Sequence, residues 1–321
     1  MIRRRASYRP SLRSPRQKTA GRSLLIAALV FAVFDSAWAQ NRGVYPLGMN
    51  ATNSGSAPAP GLTYLNLFIL YSRDESRGAD GDLLGTVSNS VILDLNTFYW
   101  ASRKPILGGA RSATSATIAF ANNSLTTETS GAVSGGGGYA DSYIQPIILG
   151  WEKPRVRIKA VYAFLAPTGR FTAGASNNVG TGYWTNMAAS GQTIYLTSDK
   201  RTVVTAFEMY EFHGTQEGTQ IEPGDTFDLD YSLTHTFALT TDTHLQLGLV
   251  GYEQRQMTDK GGPGITAEQA SARYAINALG FTANINLPAR KASLGFRYLD
   301  EFANKSTFQG YALHIFGALT F

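Results

Sequence analysis

Four histidines are the side chains of this 321-residue chain that could act as a general base near neutral pH. An outer-membrane phospholipase needs a serine nucleophile beside a histidine base, and that family of hydrolases places them as His-x-Ser on one strand, so that both side chains point the same way. The histidines are His213, His235, His244 and His314. The residues two positions after them are Thr215, Phe237, Gln246 and Phe316. None is serine, so the spacing gives no support to a hydrolase.

Metal and phosphate sites are equally poorly supported. The chain has no cysteine and its histidines are scattered singly, whereas a zinc site needs clustered ligands. The glycine run at 135–138 lacks the Lys-Ser/Thr pair of a phosphate-binding loop, which favours a flexible connection. Asp74, Asp80 and Asp82 leave a calcium site open, although their spacing fits no EF-hand. We therefore predict no cofactor, no resident metal and no enzymatic activity.

The first 39 residues are predicted to be a cleaved signal peptide. Eight basic residues lie between positions 3 and 22, eleven apolar residues follow at 24–34, and Ala37-Trp38-Ala39 supplies a small-residue cleavage site. A membrane anchor would need about 20 apolar residues.

The basic character of the chain belongs to this leader. The whole chain has a net charge of +5 and a pI near 9.3, but positions 1–39 hold eight of the bases and one acid. The remaining residues, 40–321, therefore carry a net charge of −2. This excludes nucleic acid as the expected partner.

The dominant pattern after residue 60 is an alternation with period two. In Phe227-Asp228-Leu229-Asp230-Tyr231 and onward to position 237, odd positions are apolar except His235, and even positions are Asp, Ser or Thr. Only a β-strand sorts such residues onto two faces. With 16% charged residues, 37 aromatic residues and a mean hydropathy of −0.13, the composition suits a sheet that meets lipid on one face and water on the other.

Twelve segments show strand character, and they predict an all-β, antiparallel, up-and-down transmembrane barrel of the outer-membrane type. They are 61–72, 87–101, 110–120, 141–151, 155–165, 191–198, 201–213, 225–239, 243–257, 271–287, 290–301 and 307–321. Short connections alternate with long ones at 73–86, 121–140, 166–190, 213–224 and 256–270, which places both termini in the periplasm. Ten or fourteen strands remain alternatives. Residues 61–321 are thus the barrel, and 40–60 an extended segment that is either periplasmic or plug-like.

The last segment resembles a recognition signal for the barrel-assembly machinery. Its apolar side chains share one face and the chain stops on an aromatic residue. The residues are Tyr311, Leu313, Ile315, Leu319 and Phe321.

Charged residues at alternating positions of apolar strands are expected to face a hydrated lumen, because an apolar core would make them costly. Strand parity assigns six to the inner wall: Asp94, Arg157, Lys159, Glu208, Asp230 and Arg297. They could form a constriction that steers a solute, or they could fill and cross-link a small barrel. Parity also assigns apolar residues to the lumen, namely Phe68, Leu70, Phe98, Trp100 and Phe316. These indicate either a path for hydrophobic solutes or packing against the N-terminal segment.

Several motifs, in order, resemble the MetA-pathway of phenol degradation family of proteobacterial outer-membrane barrels. They begin with Tyr139-Ala140-Asp141-Ser142-Tyr143, Ala166-Pro167-Thr168-Gly169-Arg170-Phe171 and Val179-Gly180-Thr181-Gly182-Tyr183-Trp184. They continue with Gly224-Asp225-Thr226-Phe227-Asp228, Gly248-Leu249-Val250-Gly251-Tyr252 and Arg297-Tyr298-Leu299-Asp300-Glu301-Phe302. The resemblance spans roughly residues 60 to 321 and implies an outer-membrane transporter linked by name to aromatic catabolism. The stretch around Asn304 and Gln309 departs from the family's usual pattern.

Together these observations predict an outer-membrane channel for passive uptake of small solutes, aromatic or hydrophobic ones included. Its expected partners are outer-membrane lipid and lipopolysaccharide, the barrel-assembly machinery and a small-molecule solute. The alternative is a closed structural or adhesive barrel that acts through its extracellular loops.

Overall fold

The computed structural model describes residues 43–128 and 130–321, so the predicted leader lies outside the described residues. Within them the chain forms thirteen strands. They are β1 Gly61–Arg77, β2 Leu83–Ile106, β3 Ala110–Thr127, β4 Gly131–Tyr139, β5 Ser142–Glu152, β6 Val156–Ala166, β7 Thr185–Tyr195, β8 Thr202–His213, β9 Thr226–Ala238, β10 His244–Gln256, β11 Ala275–Leu287, β12 Ala292–Glu301 and β13 Thr307–Thr320.

Twelve of these strands close into a barrel, which confirms the predicted fold. Consecutive strands pair antiparallel, and the ring closes where β1 pairs with both β13 and β2. Leu67 is the partner of Phe316 on one side and of Leu95 on the other. A closed ring satisfies every strand's backbone groups, which a lipid-embedded sheet requires.

The strand outside the ring is β4, which falls in the predicted connection 121–140. Strand β4 pairs with the half of β3 from Phe120 to Thr127 and continues the β3 hairpin beyond the ring, while β5 takes the place beside β3 within it. The predicted long connections at 73–86 and 121–140 are therefore mostly strand. Charged residues and Gly dominate the first stretch, and Ser, Thr and Gly the second, so the period-two signal that an apolar face provides is missing.

The connections divide the barrel into two ends. We call the end with connections 107–109, 153–155, 196–201, 239–243 and 288–291 the short-connection end. The opposite, long-connection end carries 167–184, 214–225 and 257–274, with a five-residue helix, Ala267–Ser271, in the last. Gly61 and Thr320 lie at the short-connection end, where the amide of Phe321 donates to the carbonyl of Leu62 at 2.8 Å. No helix among the described residues is long and apolar enough to cross a membrane.

Alternating burial separates the two faces of the sheet. In β9, Asp228, Asp230 and Ser232 are buried in the lumen, whereas Leu233 on the outer face is 46% exposed. Ile315, Leu319 and Phe321 of the closing strand are likewise exposed and face outward. A band of exposed apolar side chains around a largely polar interior is the arrangement expected of a barrel in lipid.

Close strand approach within the ring gives a test of the fold. A Cβ at Gly280 in β11 would overlap the carbonyl oxygen of Tyr298 in β12. We expect Gly280→Ala to cost about 1–3 kcal/mol, because the backbone of β12 would have to move. The loss of stability is measured as a lower urea concentration at which half of the protein loses its folded, heat-modifiable electrophoretic mobility. Gly85→Ala is the matched control, since its Cβ would meet nothing within 4 Å; equal midpoints for both variants would contradict the packing described.

Candidate functional site in the barrel lumen

Residues 43–60, which we call the lumenal segment, lie along the inner wall. At the long-connection end the amides of Val44 and Tyr45 donate to the carboxylate of Glu211, at 2.9 and 2.6 Å. At the other end the amide of Gly55 donates to Thr193 Oγ1 at 3.1 Å, and Arg111 donates to the carbonyl of Pro58 at 3.2 Å. Strand direction places Glu211 near the end of β8 and Thr193 near the end of β7, so the segment runs the length of the lumen.

Asp230, which is fully buried, is the central acceptor for this segment. Its carboxylate accepts from the Tyr45 hydroxyl at 2.6 Å and from the amides of Gly48 and Asn50 at 2.8 and 2.9 Å. The Tyr45 ring stacks on Phe207 with 5.6 Å between centroids. Hydrogen bonds to an ionised acceptor are stronger than neutral ones, so this cluster anchors the segment in the middle of the lumen.

Arg297 supplies the complementary donor. Its guanidinium donates to the carbonyls of Gly48 and Met49 at 2.8 and 3.2 Å and to Thr52 Oγ1 at 2.9 Å. It also lies 4.2 Å from the centroid of the Phe316 ring. Asp230 therefore accepts from the segment's donors while Arg297 donates to its acceptors, and the bend at Gly48, with a φ of +82°, is held between them.

Glycines in the wall let the segment approach the strands closely. A Cβ at Gly191 of β7 would overlap the carbonyl oxygen of Ser54, and one at Gly150 of β5 would overlap the side chain of Ala57. Side chains at these positions would push the segment off the wall.

Two further buried carboxylates, in addition to Glu211 and Asp230, lie on this half of the lumen, and the sequence analysis did not predict them. Glu301 forms an ion pair with Arg73 at 3.0 Å, and Asp228 accepts from Gln254 at 2.7 Å. Asp228 shares its parity with Asp230, so the alternation in β9 already contained the signal. Glu301 is the last residue of β12, and Arg73 falls in the predicted connection 73–86, whose first five residues belong to β1 in the structure, so the alternation assigned neither side chain to the lumen.

Arg157 and Lys159 of β6 reach the lumenal segment from the opposite side. Lys159 Nζ lies 3.4 Å from Asn50 Oδ1 and 5.3 Å from the centroid of the Phe207 ring. Arg157 pairs with Glu152, and its guanidinium lies 3.4 Å from Ser56 Oγ. The structure thus places Arg157, Lys159, Asp230 and Arg297 around one segment rather than in a ring across an empty pore.

Two charged residues predicted for the inner wall face outward instead. Asp94 accepts from Asn66 at 2.6 Å on the outer face of β1 and β2, and Glu208 accepts from Ser190 and Gln192 at 2.9 and 3.0 Å on the outer face of β7 and β8. In β8 the lumenal positions are the buried Val203, Thr205, Phe207, Met209 and Glu211. The apolar side of β8 faces the lumenal segment, so the inward and outward positions of this strand are the reverse of those predicted.

The apolar residues predicted for the lumen are corrected in the same way. Phe68, Phe98 and Trp100 are 38%, 44% and 57% exposed on the outer face, and Leu70 shares the parity of Phe68. Phe316 alone of this set faces inward, against Arg297. Strands β1 and β2 carry apolar residues on both faces, so no polar side identifies the lumen, and a one-residue shift exchanges the faces.

A cavity of about 300 Å³ remains between the lumenal segment and the wall formed by β1, β2, β5, β6, β12 and β13. Its wall is apolar at Leu65, Leu67, Leu95, Ile148 and Phe316, and polar at Lys159, Arg297, Gln145 and Thr97. A second recess of about 230 Å³ lies at the short-connection end and shares Ser56 and Ala57 with it. Both spaces border the segment, so its position sets their size.

The motifs of the long connections have a structural role. Asp141, just before β5, accepts from the amides of Gly169 and Thr181 at 2.9 and 2.7 Å and thereby holds connection 167–184 against the barrel end. Burial, together with the nearby carboxylates of Glu211 and Asp141, raises the pKa of the Tyr183 hydroxyl, which stays protonated at neutral pH. Within residues 43–128 and 130–321, no group of three or more His, Asp or Glu could hold a metal ion.

Comparison with known proteins agrees with this architecture. The family model for the MetA-pathway of phenol degradation matches residues 72–315. The barrel is similar to an outer membrane channel from Pseudomonas putida F1, with 14% identity and a TM-score of 0.70 over 84% of this chain and 98% of that one. It is also similar to the beta domain of the Bordetella autotransporter BrkA, with 12% identity and a TM-score of 0.50 over 82% of this chain and 100% of that one. At these identities the likeness concerns the fold, which is that of outer-membrane barrels. No curated protein sequence matches the chain.

The anchoring role of Asp230 can be tested directly. Asp230→Ala would leave the buried Tyr45 hydroxyl and Gly48 amide without their acceptor, at about 1–3 kcal/mol for each group, while the Asn50 amide would keep only the Tyr45 hydroxyl oxygen. We expect hydrogen exchange at residues 43–55 to become at least about tenfold faster, since local opening costs less. Asp242→Ala, at an exposed short connection, is the control. Unchanged protection in Asp230→Ala would refute the anchor.

Proposed function

Because the chain belongs to the MetA-pathway of phenol degradation family, we propose that it is an outer-membrane channel through which small solutes diffuse down their gradients, aromatic and hydrophobic ones included. The observation that carries this proposal is the cavity of about 300 Å³ beside the lumenal segment. The segment occupies one side of the lumen, and the cavity is left on the other. The similar Pseudomonas putida protein is itself an outer membrane channel.

In this proposal the barrel lies in the bacterial outer membrane with its long connections outside. The exposed outward side chains, Leu249 and Phe281 among them, meet lipid, and lipopolysaccharide surrounds the outer rim. The aromatic residue that ends the outward face of β13, Phe321, serves as the signal read by the barrel-assembly machinery. A signal peptide at 1–39 delivers the chain to the periplasm.

The lumenal segment then acts as the element that limits passage. It is held by contacts to Glu211, Asp230 and Arg297 rather than by covalent links, so its displacement would join the cavity to the long-connection end. A solute would enter between the long connections and pass along the wall formed by β1, β2, β5 and β6.

A second candidate function is a closed barrel that acts through its outer loops as a structural or adhesive protein. The observation that favours it is the same segment, which fills much of the lumen, together with the ordered connection held by Asp141. Enzymatic activity is not part of either proposal.

Single-channel recording in a planar bilayer separates the two functions. We expect the intact barrel to give small conductance steps and a variant lacking residues 43–55 to give steps at least about threefold larger, because the lumen is then open. Gly191→Val, which would force the segment off β7, should change conductance in the same direction if the deletion fails to fold. If neither the intact barrel nor either variant conducts, the channel proposal is refuted and the closed barrel is favoured.

Ion selectivity tests which charges face the path. Arg297→Gln should shift the reversal potential in a KCl gradient toward cation selectivity, since Arg297 lines the cavity. Glu208→Gln should leave the reversal potential unchanged, because Glu208 lies on the outer face with Ser190 and Gln192. A shift in Glu208→Gln as large as that in Arg297→Gln would contradict the placement of these residues along the path.

A further inference from the structure

The charges around the cavity are unequally distributed. The residues that line it include two cations, Lys159 and Arg297, and no Asp or Glu. The buried carboxylates Glu211, Asp228 and Glu301 lie toward the long-connection end and are bound to the lumenal segment or to wall side chains. Asp230 does not line the cavity and accepts three hydrogen bonds from the lumenal segment. The space open to a solute is therefore positive, although the chain from residue 40 onward is slightly acidic.

Lys159 is the cation whose hydrogen-bond donors are not all used by the described contacts. Its ammonium has three donors, and the described contacts are one amide oxygen, Asn50 Oδ1 at 3.4 Å, and the face of Phe207. No salt bridge among the described residues involves it, whereas Arg157 next along β6 is paired with Glu152. Arg297 adds a second positive charge at the cavity, and its Nε is buried without a hydrogen-bond partner.

The rest of the cavity wall is apolar and of limited size. Leu65 and Leu67 of β1, Leu95 of β2 and Ile148 of β5, which we call the Leu-Ile strip, line it together with the ring of Phe316. About 300 Å³ is at the lower end of the range for small-molecule pockets, which suits a single ring and excludes a long acyl chain.

We infer that this cavity takes small organic anions in which one aromatic ring carries a carboxylate or an ionised hydroxyl group. The ring packs on the Leu-Ile strip and the anionic oxygen accepts hydrogen bonds from Lys159. A charge pair at this depth is screened less than one in water, so an organic cation of the same size is repelled and a neutral phenol binds more weakly. This inference rests on the proposed channel function and gives it a substrate class.

The second recess supports a directed path for such an anion. It is lined by Arg111 and Arg157 at the short-connection end and shares Ser56 and Ala57 with the cavity. Cations therefore follow one another from mid-lumen to the short-connection end, with Glu152 as the acid among them. An anion leaving Lys159 meets the next cations in that direction.

Flux into liposomes with three probes of similar size tests the inference: benzoate, benzylammonium and phenol. For the intact barrel we expect benzoate flux to exceed benzylammonium flux by about tenfold at low salt. Lys159→Gln should lower benzoate flux by about fivefold and leave phenol flux unchanged. Lys159→Arg should keep the anion preference. Lys153→Gln, which removes an exposed cation from the connection preceding β6, is the matched control and should behave as the unmodified protein.

The outcomes separate the two levels of the proposal. Equal flux of benzoate and benzylammonium would overturn the anionic substrate class while leaving a channel. An anion preference that survives in Lys159→Gln would overturn the assignment of Lys159 as the group that binds the anion. An intact barrel closed to all three probes, with conduction only after deletion of residues 43–55, would also overturn it, since the cavity would not be a path. Only the absence of conduction in the intact barrel, in the deletion variant and in Gly191→Val would refute the channel itself.

Discussion

The three hydrogen bonds that Asp230 accepts from the lumenal segment determine how the inside of this barrel is organised. A twelve-strand ring encloses more space than its inward side chains fill, and a buried carboxylate is stable only when its acceptor positions are satisfied. The Tyr45 hydroxyl and the amides of Gly48 and Asn50 meet that requirement. Filling the lumen and neutralising the polar wall are thus achieved by the same eighteen residues, 43–60.

The position of the segment also divides the lumen by charge. Acids gather where the segment enters, at Glu211 and Asp228, and cations gather where it leaves, at Arg157 and Arg111. Because the segment binds the acids on one wall, the opposite wall keeps the Leu-Ile strip, with Lys159 on the strand that follows β5. A nearly neutral chain therefore presents a positive cavity, which no net charge could reveal.

Most strands could be predicted because lipid outside and water inside sort residues with period two. The alternation in β9 placed Asp230 in the lumen and Leu233 outside, and the structure agrees. Parity failed in β1, β2 and β8, where the inner face is itself apolar. Phe207 in β8 packs on Tyr45, and Leu67 and Leu95 line the cavity. The rule that apolar residues face lipid assumes a water-filled interior, and the lumenal segment removes that condition.

Strand β4 was not predicted because its Gly-rich sequence has no apolar face.

The sequence by itself determined the ring. Local chemistry within each segment sets the strand alternation and the connection lengths, and these imply the strand pairing. It also supplied the candidates Arg157, Lys159, Asp230 and Arg297. Only the tertiary structure decided which of the six predicted charges share the lumen, placing Asp94 and Glu208 outside. It also decided that residues 43–60 run through the barrel rather than below it. These facts depend on contacts between residues about 100 to 250 positions apart, such as Arg297 with Gly48, and no local pattern records such contacts.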